Sequence, residues 1–273
     1  MIPNIHFISG LPRSGSTLLA SILNQNPRFV ASMTGPTGAL FNAMLGATSP
    51  QQETSIYVDD AMRERLLHGV FEAVYADASA DQVVFDTNRG WTTKLPALSR
   101  LFPQAKMICC VRNPAWIVDS IETLIRRNAF ELSAMFNYDR NSTVYSRVEG
   151  LRNGNGMIGF SISGLREAMY GGLADRLMLV RYESLMAEPL ETLASIYEFI
   201  DEPLFAHDLN NVESNPKMVE FDKRLGTPGL HSVRRVVQSD TRETILPPDL
   251  FSRIVQSAFW DDQEQLPVGL RVI

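Results

Sequence analysis

The chain has 273 residues, which suits one large α/β domain over residues 1–273 with length enough to bury a core. Its hydrophobic share of 45% and charged share of 21% exclude a disordered or fibrous protein. The formal net charge of -6 argues against a nucleic-acid partner, because neutralising phosphates requires a surplus of Lys and Arg.

The N-terminal segment and the two cysteines indicate the cellular location of the protein. The first ten residues lack the basic segment and long apolar run of a signal peptide, and no run is long enough to span a bilayer. The two cysteines, Cys109 and Cys110, are adjacent in an apolar run, which excludes a disulfide framework and indicates buried thiols. We therefore expect a cytoplasmic protein without a membrane span, and a homodimer is compatible with the sequence.

Short apolar runs recur along the chain between amphipathic stretches, which predicts buried parallel strands covered by helices. The fold class is therefore α/β, with a three-layer P-loop-like parallel sheet, helices on both faces and further inserted helices. The predicted strands are residues 5–9, 83–86, 106–111 and 176–180. The predicted helices are residues 16–25, 94–102, 115–126 and 190–199, with inserted helical stretches at 62–75 and 131–172. The Gly/Asn-rich break at 152–159 is read either as a helix connection or as a loop over a site.

The first strand, a glycine-bearing turn and the first helix form a phosphate-binding arrangement, which points backbone N–H groups and a helix dipole at an anion. The spacing from Gly10 through Gly15 to Thr17 fits the GxxxxGK[ST] pattern, except that Ser16 replaces the lysine. In a nucleoside triphosphatase that lysine reaches the β and γ phosphates. Here Arg13 supplies positive charge instead, which suits a donor whose transferred group carries less charge than a γ-phosphate.

The string GLPRSGSTLL resembles the phosphosulfate loop of sulfotransferases that use 3'-phosphoadenosine 5'-phosphosulfate (PAPS). A second string, MICCVRNPAWIVDSI, resembles the 3'-phosphate motif of the same family, with Arg112 and Ser120 in the arginine and serine positions. Arginine offers a planar fork of donors to a phosphate, and a serine hydroxyl adds one more. The alternative for Arg112 is a helix-capping ion pair.

The resemblance implies transfer of a sulfuryl group from PAPS to an acceptor hydroxyl by in-line displacement, without a metal, leaving adenosine 3',5'-bisphosphate. It extends to the tyrosylprotein sulfotransferases and related bacterial enzymes over residues 97–114 and 179–200. Tyr182 falls where the family contacts the nucleotide, although packing is the alternative role. The loop from Leu225 to Arg235 falls where the family closes over the nucleotide. The donor-binding residues implied are Arg13, Ser14, Gly15, Ser16, Thr17, Arg112, Ser120, Tyr182, Leu230 and His231.

The catalytic base departs from both branches of the family. The loop after the first helix, FVASMTGPTG, contains no glutamate, and the segment after the next predicted strand, VVFDTNRGW, contains no histidine. We expect Asp86 to be the base and Arg13 to stabilise the leaving oxygen. The alternative is that Asp86 caps the turn or pairs with Arg89.

Two other functions stay open at this point. A P-loop kinase-like phosphotransferase would use the aspartate of VVFD to hold magnesium, but Ser16 and the second motif argue against it. A catalytically silent nucleotide-binding homologue would explain the missing base. The acceptor hydroxyl compound cannot be read from the sequence, because acceptor pockets carry no recognisable code.

Overall fold

The computed structural model describes residues 4–238 and 242–273. No signal peptide was recognised in the first ten residues of the sequence. Residues 1–3 of that segment lie outside the described part of the chain. Six strands form one sheet in the order β2-β3-β1-β4-β5-β6, and every neighbouring pair is parallel. The strands are β1 Asn4–Gly10, β2 Phe29–Ala31, β3 Val83–Thr87, β4 Met107–Val111, β5 Leu177–Arg181 and β6 Arg271–Val272.

Eleven α-helices are found in the described residues, and short 3-10 helices connect several of them. The α-helices are α1 Ser16–Leu23, α2 Thr37–Ala47, α3 Asp60–Val74, α4 Leu95–Leu101, α5 Pro114–Arg127, α6 Val144–Arg152, α7 Met157–Tyr170, α8 Tyr182–Ala187, α9 Pro189–Phe199, α10 Pro216–Arg224 and α11 Pro248–Val255. The 3-10 helices are Glu53–Tyr57, Arg89–Lys94, Ala134–Phe136, Ala174–Arg176, Phe259–Asp261 and Gln263–Gln265. In the part of the chain that the structure describes, no helix is both long and apolar enough to cross a membrane.

The sheet carries a hydrophobic cluster on each face, because strands in a parallel sheet are apolar on both sides. One cluster joins Phe7 of β1 to helices α2, α3, α4, α5, α7 and α11. The other joins Ile8, the next residue, to α1, α8, α9 and α10. The α/β class with helices on both faces is therefore confirmed.

All four predicted strands are present. Five predicted helices correspond to α1, α3, α4, α5 and α9, and each begins and ends within two residues of its predicted bounds. The inserted stretch 131–172 forms α6 and α7, and the break at 152–159 connects them. Cys109 and Cys110 are buried thiols in β4, as predicted. Strands β2 and β6 were not predicted, since three and two residues are too few to show a period.

Candidate active site

The phosphate loop leaves β1 at Gly10, which only glycine can occupy. Gly10 has φ of 112°, and a Cβ there would lie 2.1 Å from the backbone oxygen of Cys110 in the neighbouring strand β4. The next amide, Leu11 N–H, donates to that same oxygen at 2.9 Å. The loop therefore begins with its backbone pressed against β4.

Ser14 and Gly15 complete the loop and start α1. The buried Ser14 hydroxyl lies 2.8 Å from the Cys110 oxygen and 2.5 Å from the Leu11 oxygen, so it is engaged with the loop backbone. Gly15, with φ of 96°, stands at the cap position of α1 and has no side chain to cap it. The first-turn N–H groups of α1, including those of Ser16 and Thr17, are thus directed into the loop.

Arg13 lies in the left-handed region of backbone conformation, with φ of 57°. Its Nε donates to the hydroxyl of Ser120 at 3.1 Å, and its Nη1 donates to the backbone oxygen of Leu230. Burial, together with the nearby charge of Arg112, lowers the pKa of Arg13 to about 10, and Asp222 acts in the opposite direction. Arg13 remains a cation at neutral pH.

Arg112 follows β4 directly and stacks over the ring of Tyr182, with its guanidinium carbon 4.2 Å from the ring centre. Its Nη1 donates to the backbone oxygen of Arg13 at 3.4 Å. Among residues 4–238 and 242–273, its buried Nε has no hydrogen-bond partner. Burial lowers the pKa of Arg112, and Tyr182 and Glu183 oppose this. The Arg112 guanidinium therefore keeps donors that are not engaged within the described chain, among them the buried Nε–H.

Tyr182 begins α8 immediately after β5. Its ring carbon would lie 3.0 Å from a Cβ placed at Gly15, so the ring covers the start of α1. The structure thus brings together the predicted residues of both motifs and of two later segments.

A buried carboxylate beside Ser120 was missed by the sequence reasoning. Asp119 is fully buried on α5 and accepts hydrogen bonds from the Thr244 hydroxyl and the Ile245 N–H, both at 2.8 Å. It also forms an ion pair with Arg242. Arg242 lies near enough to lower the pKa of both Arg13 and Arg112. An aspartate inside the apolar α5 segment was the available signal.

His231 follows Leu230 in the loop that contacts Arg13. Its backbone N–H donates to Asp222 Oδ2 at 2.8 Å, and its Nδ1 lies 2.6 Å from Asp222 Oδ1. Asp222 is buried on α10. This carboxylate therefore fixes both the backbone and the ring of His231.

Asp86 lies in β3, on the other side of the phosphate loop, and each of its two carboxylate oxygens accepts a hydrogen bond. The hydroxyl of Tyr75 donates to Oδ2 at 2.6 Å, and the indole N–H of Trp91 donates to Oδ1 at 2.7 Å. Burial raises the pKa of Asp86, and the hydrogen bonds to it act in the opposite direction. In the described residues no ion pair joins Asp86 to Arg89. Asp86 is buried, so an acceptor hydroxyl would reach it only after the enclosing side chains move.

Comparison with known families adds an independent finding. The model of the sulfotransferase family matches residues 6–206, which is more than half of the chain. The chain belongs to the sulfotransferase family. The matched range includes the phosphate loop, the Arg112 and Ser120 motif and Tyr182, and it ends before the loop that contains His231. No curated protein matches the sequence.

Solved structures of sulfotransferases share the fold. The sulfotransferase domain of the Synechococcus PCC 7002 olefin synthase is 18% identical with a TM-score of 0.50, covering 93% of this chain and 94% of that one. Sulfotransferase STF9 from Mycobacterium avium is 16% identical with a TM-score of 0.51, covering 99% and 79%. Mouse sulfotransferase SULT7A1, solved with adenosine 3',5'-bisphosphate (PAP), is 12% identical with a TM-score of 0.50, covering 98% and 88%.

Among the described residues, no group of three or more His, Cys, Asp or Glu side chains is arranged to hold a metal ion.

Proposed function

We propose that this sulfotransferase transfers a sulfuryl group from PAPS to an acceptor hydroxyl. The observation that carries the proposal is the cluster of Arg13, Arg112 and Ser120 at one end of the phosphate loop, in which the buried Nε of Arg112 still has a free N–H. Buried donors are almost always satisfied, so this one is expected to meet an anionic ligand. The PAP bound to mouse SULT7A1 supports a nucleotide of this kind.

The residues fit the donor in two places. Backbone N–H groups of the loop from Gly10 to Thr17 would hold the 5'-phosphosulfate, as a helix N-terminus does for an anion. Arg112 and Ser120 would hold the 3'-phosphate, with Arg242 adding charge nearby. Tyr182 would flank the nucleotide, and Leu230 and His231 would close the loop over it.

When bound, PAPS supplies a sulfuryl group whose sulfur forms a bond to the acceptor oxygen while its bond to the bridging phosphate oxygen breaks, leaving the electron pair on the phosphate. Arg13 is the cation in the loop and would stabilise the charge that develops on that oxygen. The acceptor proton passes to a base, and Asp86 is the carboxylate we propose for it. Its raised pKa favours proton uptake, and the side chains that enclose this buried carboxylate must move to admit the acceptor.

The burial of the Asp86 carboxylate against Tyr75 and Trp91 favours a second candidate function. A homologue that binds the nucleotide without turnover would keep Asp86 as an internal partner of Tyr75 and Trp91. It would bind PAP as well as an active enzyme does. We place transfer first, because the cluster around Arg13 supplies a cation in the loop where transfer needs one.

The decisive experiment incubates the protein with sulfur-labelled PAPS and a panel of phenols, sugars and alcohols, with and without magnesium. Label in an acceptor without added magnesium supports the proposal, and strict magnesium dependence with ATP as donor indicates a kinase-like enzyme instead. Calorimetric titration with PAP gives a result that is independent of the acceptor. Absence of PAP binding would exclude both the transferase and the silent homologue.

A further inference from the structure

The edge of the sheet where the strands end has two sides, separated by the phosphate loop. Strand β1 lies between β3 and β4, and the residues proposed for the 3'-phosphate, Arg112 and Ser120, follow β4. The nucleotide therefore extends from the loop toward β4. An acceptor that attacks from the opposite direction approaches over the residues that follow β3.

Arg89 is the first residue of the 3-10 helix on that β3 side, and its backbone is fixed to β1. The hydroxyl of Ser9, one residue before Gly10, donates to the Arg89 backbone oxygen at 3.2 Å. The preceding amide, Asn88 N–H, donates to the Ile8 oxygen at 3.0 Å, and Asn88 Oδ1 accepts from Gly90 N–H at 2.8 Å. The base of the Arg89 side chain is thus held beside the entrance of the phosphate loop.

Unlike those of Arg13 and Arg112, the guanidinium of Arg89 has no hydrogen-bonding or acidic partner among the described residues. Within residues 4–238 and 242–273 no hydrogen bond or ion pair is made by this side chain, which is solvent-exposed. Surrounding protein nevertheless desolvates it and lowers its pKa, and no acidic residue of the described chain offsets this. By contrast, Asp222 offsets the effect at Arg13 and Glu183 offsets it at Arg112.

The Arg89 guanidinium is thus an accessible cation whose backbone is fixed beside the phosphate loop, on the side of β1 away from Arg112. A cation in such a place is stabilised by an anion that enters with a ligand, because its own protein supplies none. Arginine is suited to this role, since its planar fork binds a carboxylate or phosphate through two hydrogen bonds.

We propose that Arg89 binds an anionic group of the acceptor, so that the substrate is a hydroxyl compound that also carries a carboxylate or a phosphate. This inference rests on the proposed function and adds the substrate class to it. The anion at Arg89 would fix the orientation of the acceptor hydroxyl toward the phosphate loop.

The test compares acceptors in pairs that differ only in charge. Suitable pairs are para-hydroxybenzoate with para-hydroxybenzamide and hydroxyhexanoate with hydroxyhexanamide for the carboxylate, and glycerol phosphate with glycerol for the phosphate. Each is assayed with sulfur-labelled PAPS on the wild type, Arg89→Gln, Arg89→Lys and Arg28→Gln. Arg28 is the control for loss of an exposed arginine away from the site, because it precedes β2 at the edge of the sheet where the strands begin; unlike Arg89, it is paired with Glu202.

We expect the wild type to prefer the charged member of at least one pair, and Arg89→Gln to remove that preference through a rise in KM of about tenfold to a hundredfold. Neutral acceptors should be unaffected, Arg89→Lys should restore part of the preference, and Arg28→Gln should match the wild type. Whichever of the carboxylate and phosphate pairs shows the preference identifies the anion.

Two kinetic results would overturn the inference. One is a wild type without charge preference, and the other is an Arg89→Gln enzyme with lower kcat for neutral and charged acceptors alike, which would place Arg89 on the transferred group. If no acceptor of the panel is sulfated, benzoate and phenyl phosphate are titrated into PAP-saturated protein. The inference is contradicted if neither anion binds, or if Arg89→Gln leaves anion binding unchanged. PAP binding itself reports separately on the proposed function.

Discussion

The two sides of the phosphate loop are built differently. On the β4 side, each charged group has a partner within the protein. Arg13 donates a hydrogen bond to Ser120, Arg112 stacks on Tyr182, and the buried Asp119 forms an ion pair with Arg242. On the β3 side, a buried carboxylate is enclosed by Tyr75 and Trp91, and Arg89 has no counterpart within the described residues. One side is arranged before any ligand binds, and the other presents a single open cation.

This difference teaches how such an enzyme can divide its tasks. The proposed nucleotide, with two charged ends, requires several cations held in fixed positions, and the β4 side has such cations, which make hydrogen bonds within the protein. An acceptor that varies among sulfotransferases requires fewer fixed contacts, and the β3 side has fewer. Substitutions can disturb either side separately, or both sides at once through the start of the loop that they share.

The largest effect is expected from Gly10→Ala, at the start of the loop shared by both sides. The new methyl group would overlap the Cys110 backbone oxygen at a residue with positive φ, so we expect a loss of about 3 kcal/mol or more in the free energy of unfolding. Urea unfolding measures it. Gly69→Ala is the matched control, because Gly69 lies inside α3 with nothing near its Cβ position. The control should be stabilised by about 0.5 to 1 kcal/mol, and equal stability of the two variants would contradict the geometry of the loop.

The next effect concerns the β4 side, where Asp119→Ala removes a carboxylate that pairs with Arg242 and accepts from Thr244 and Ile245. Leaving buried partners unpaired costs about 3 kcal/mol of stability. Urea unfolding again provides the measurement, and Asp77→Ala at an exposed turn should change stability by less than about 0.5 kcal/mol. A stable Asp119→Ala protein that binds PAP normally would show that the segment around Arg242 is not held in this way.

A smaller effect is expected from Arg112→Ala, which removes a proposed 3'-phosphate ligand. PAP should bind about 30-fold more weakly, which corresponds to about 2 kcal/mol. Adenosine 5'-monophosphate should bind with little change, since it lacks the 3'-phosphate. Isothermal titration measures both ligands, and Arg112→Lys should give an intermediate affinity. An equal loss for both nucleotides would place Arg112 elsewhere on the ligand.

The smallest effect tests the β3 side through Asp86→Asn. An amide offers one acceptor oxygen to two donors, Tyr75 and Trp91, so stability should fall by about 1 to 2 kcal/mol. If the carboxylate mainly holds these two residues, kcat at a temperature where the variant is folded should stay within about tenfold of the wild type. A fall of about a hundredfold or more with little change in stability would instead support the base role.

The sequence allowed prediction of the sheet, because four of its strands are continuous apolar runs. The residues of the two contiguous motifs lie close together in the structure, and their role in binding a nucleotide stays a prediction. Asp119 and Arg242 were missed, since they are far apart in the chain and only the fold brings them together. The enclosure of Asp86 was also not predicted, because Tyr75 reaches it from the end of α3 and Trp91 from the following 3-10 helix. Motifs carry local geometry, and contacts between distant segments require the structure.

Trp116 is placed to provide a fluorescence signal for ligand binding on the β4 side. The chain has three tryptophans, and Trp91 and Trp260 are buried, whereas Trp116 is partly exposed on α5 with its ring 5.3 Å from the guanidinium of Arg242. A nearby cation quenches or shifts indole emission, and an arriving phosphate would change that field. The intrinsic fluorescence of the unlabelled protein should therefore report nucleotide arrival in a stopped-flow instrument, with Trp116→Phe as the silent reference.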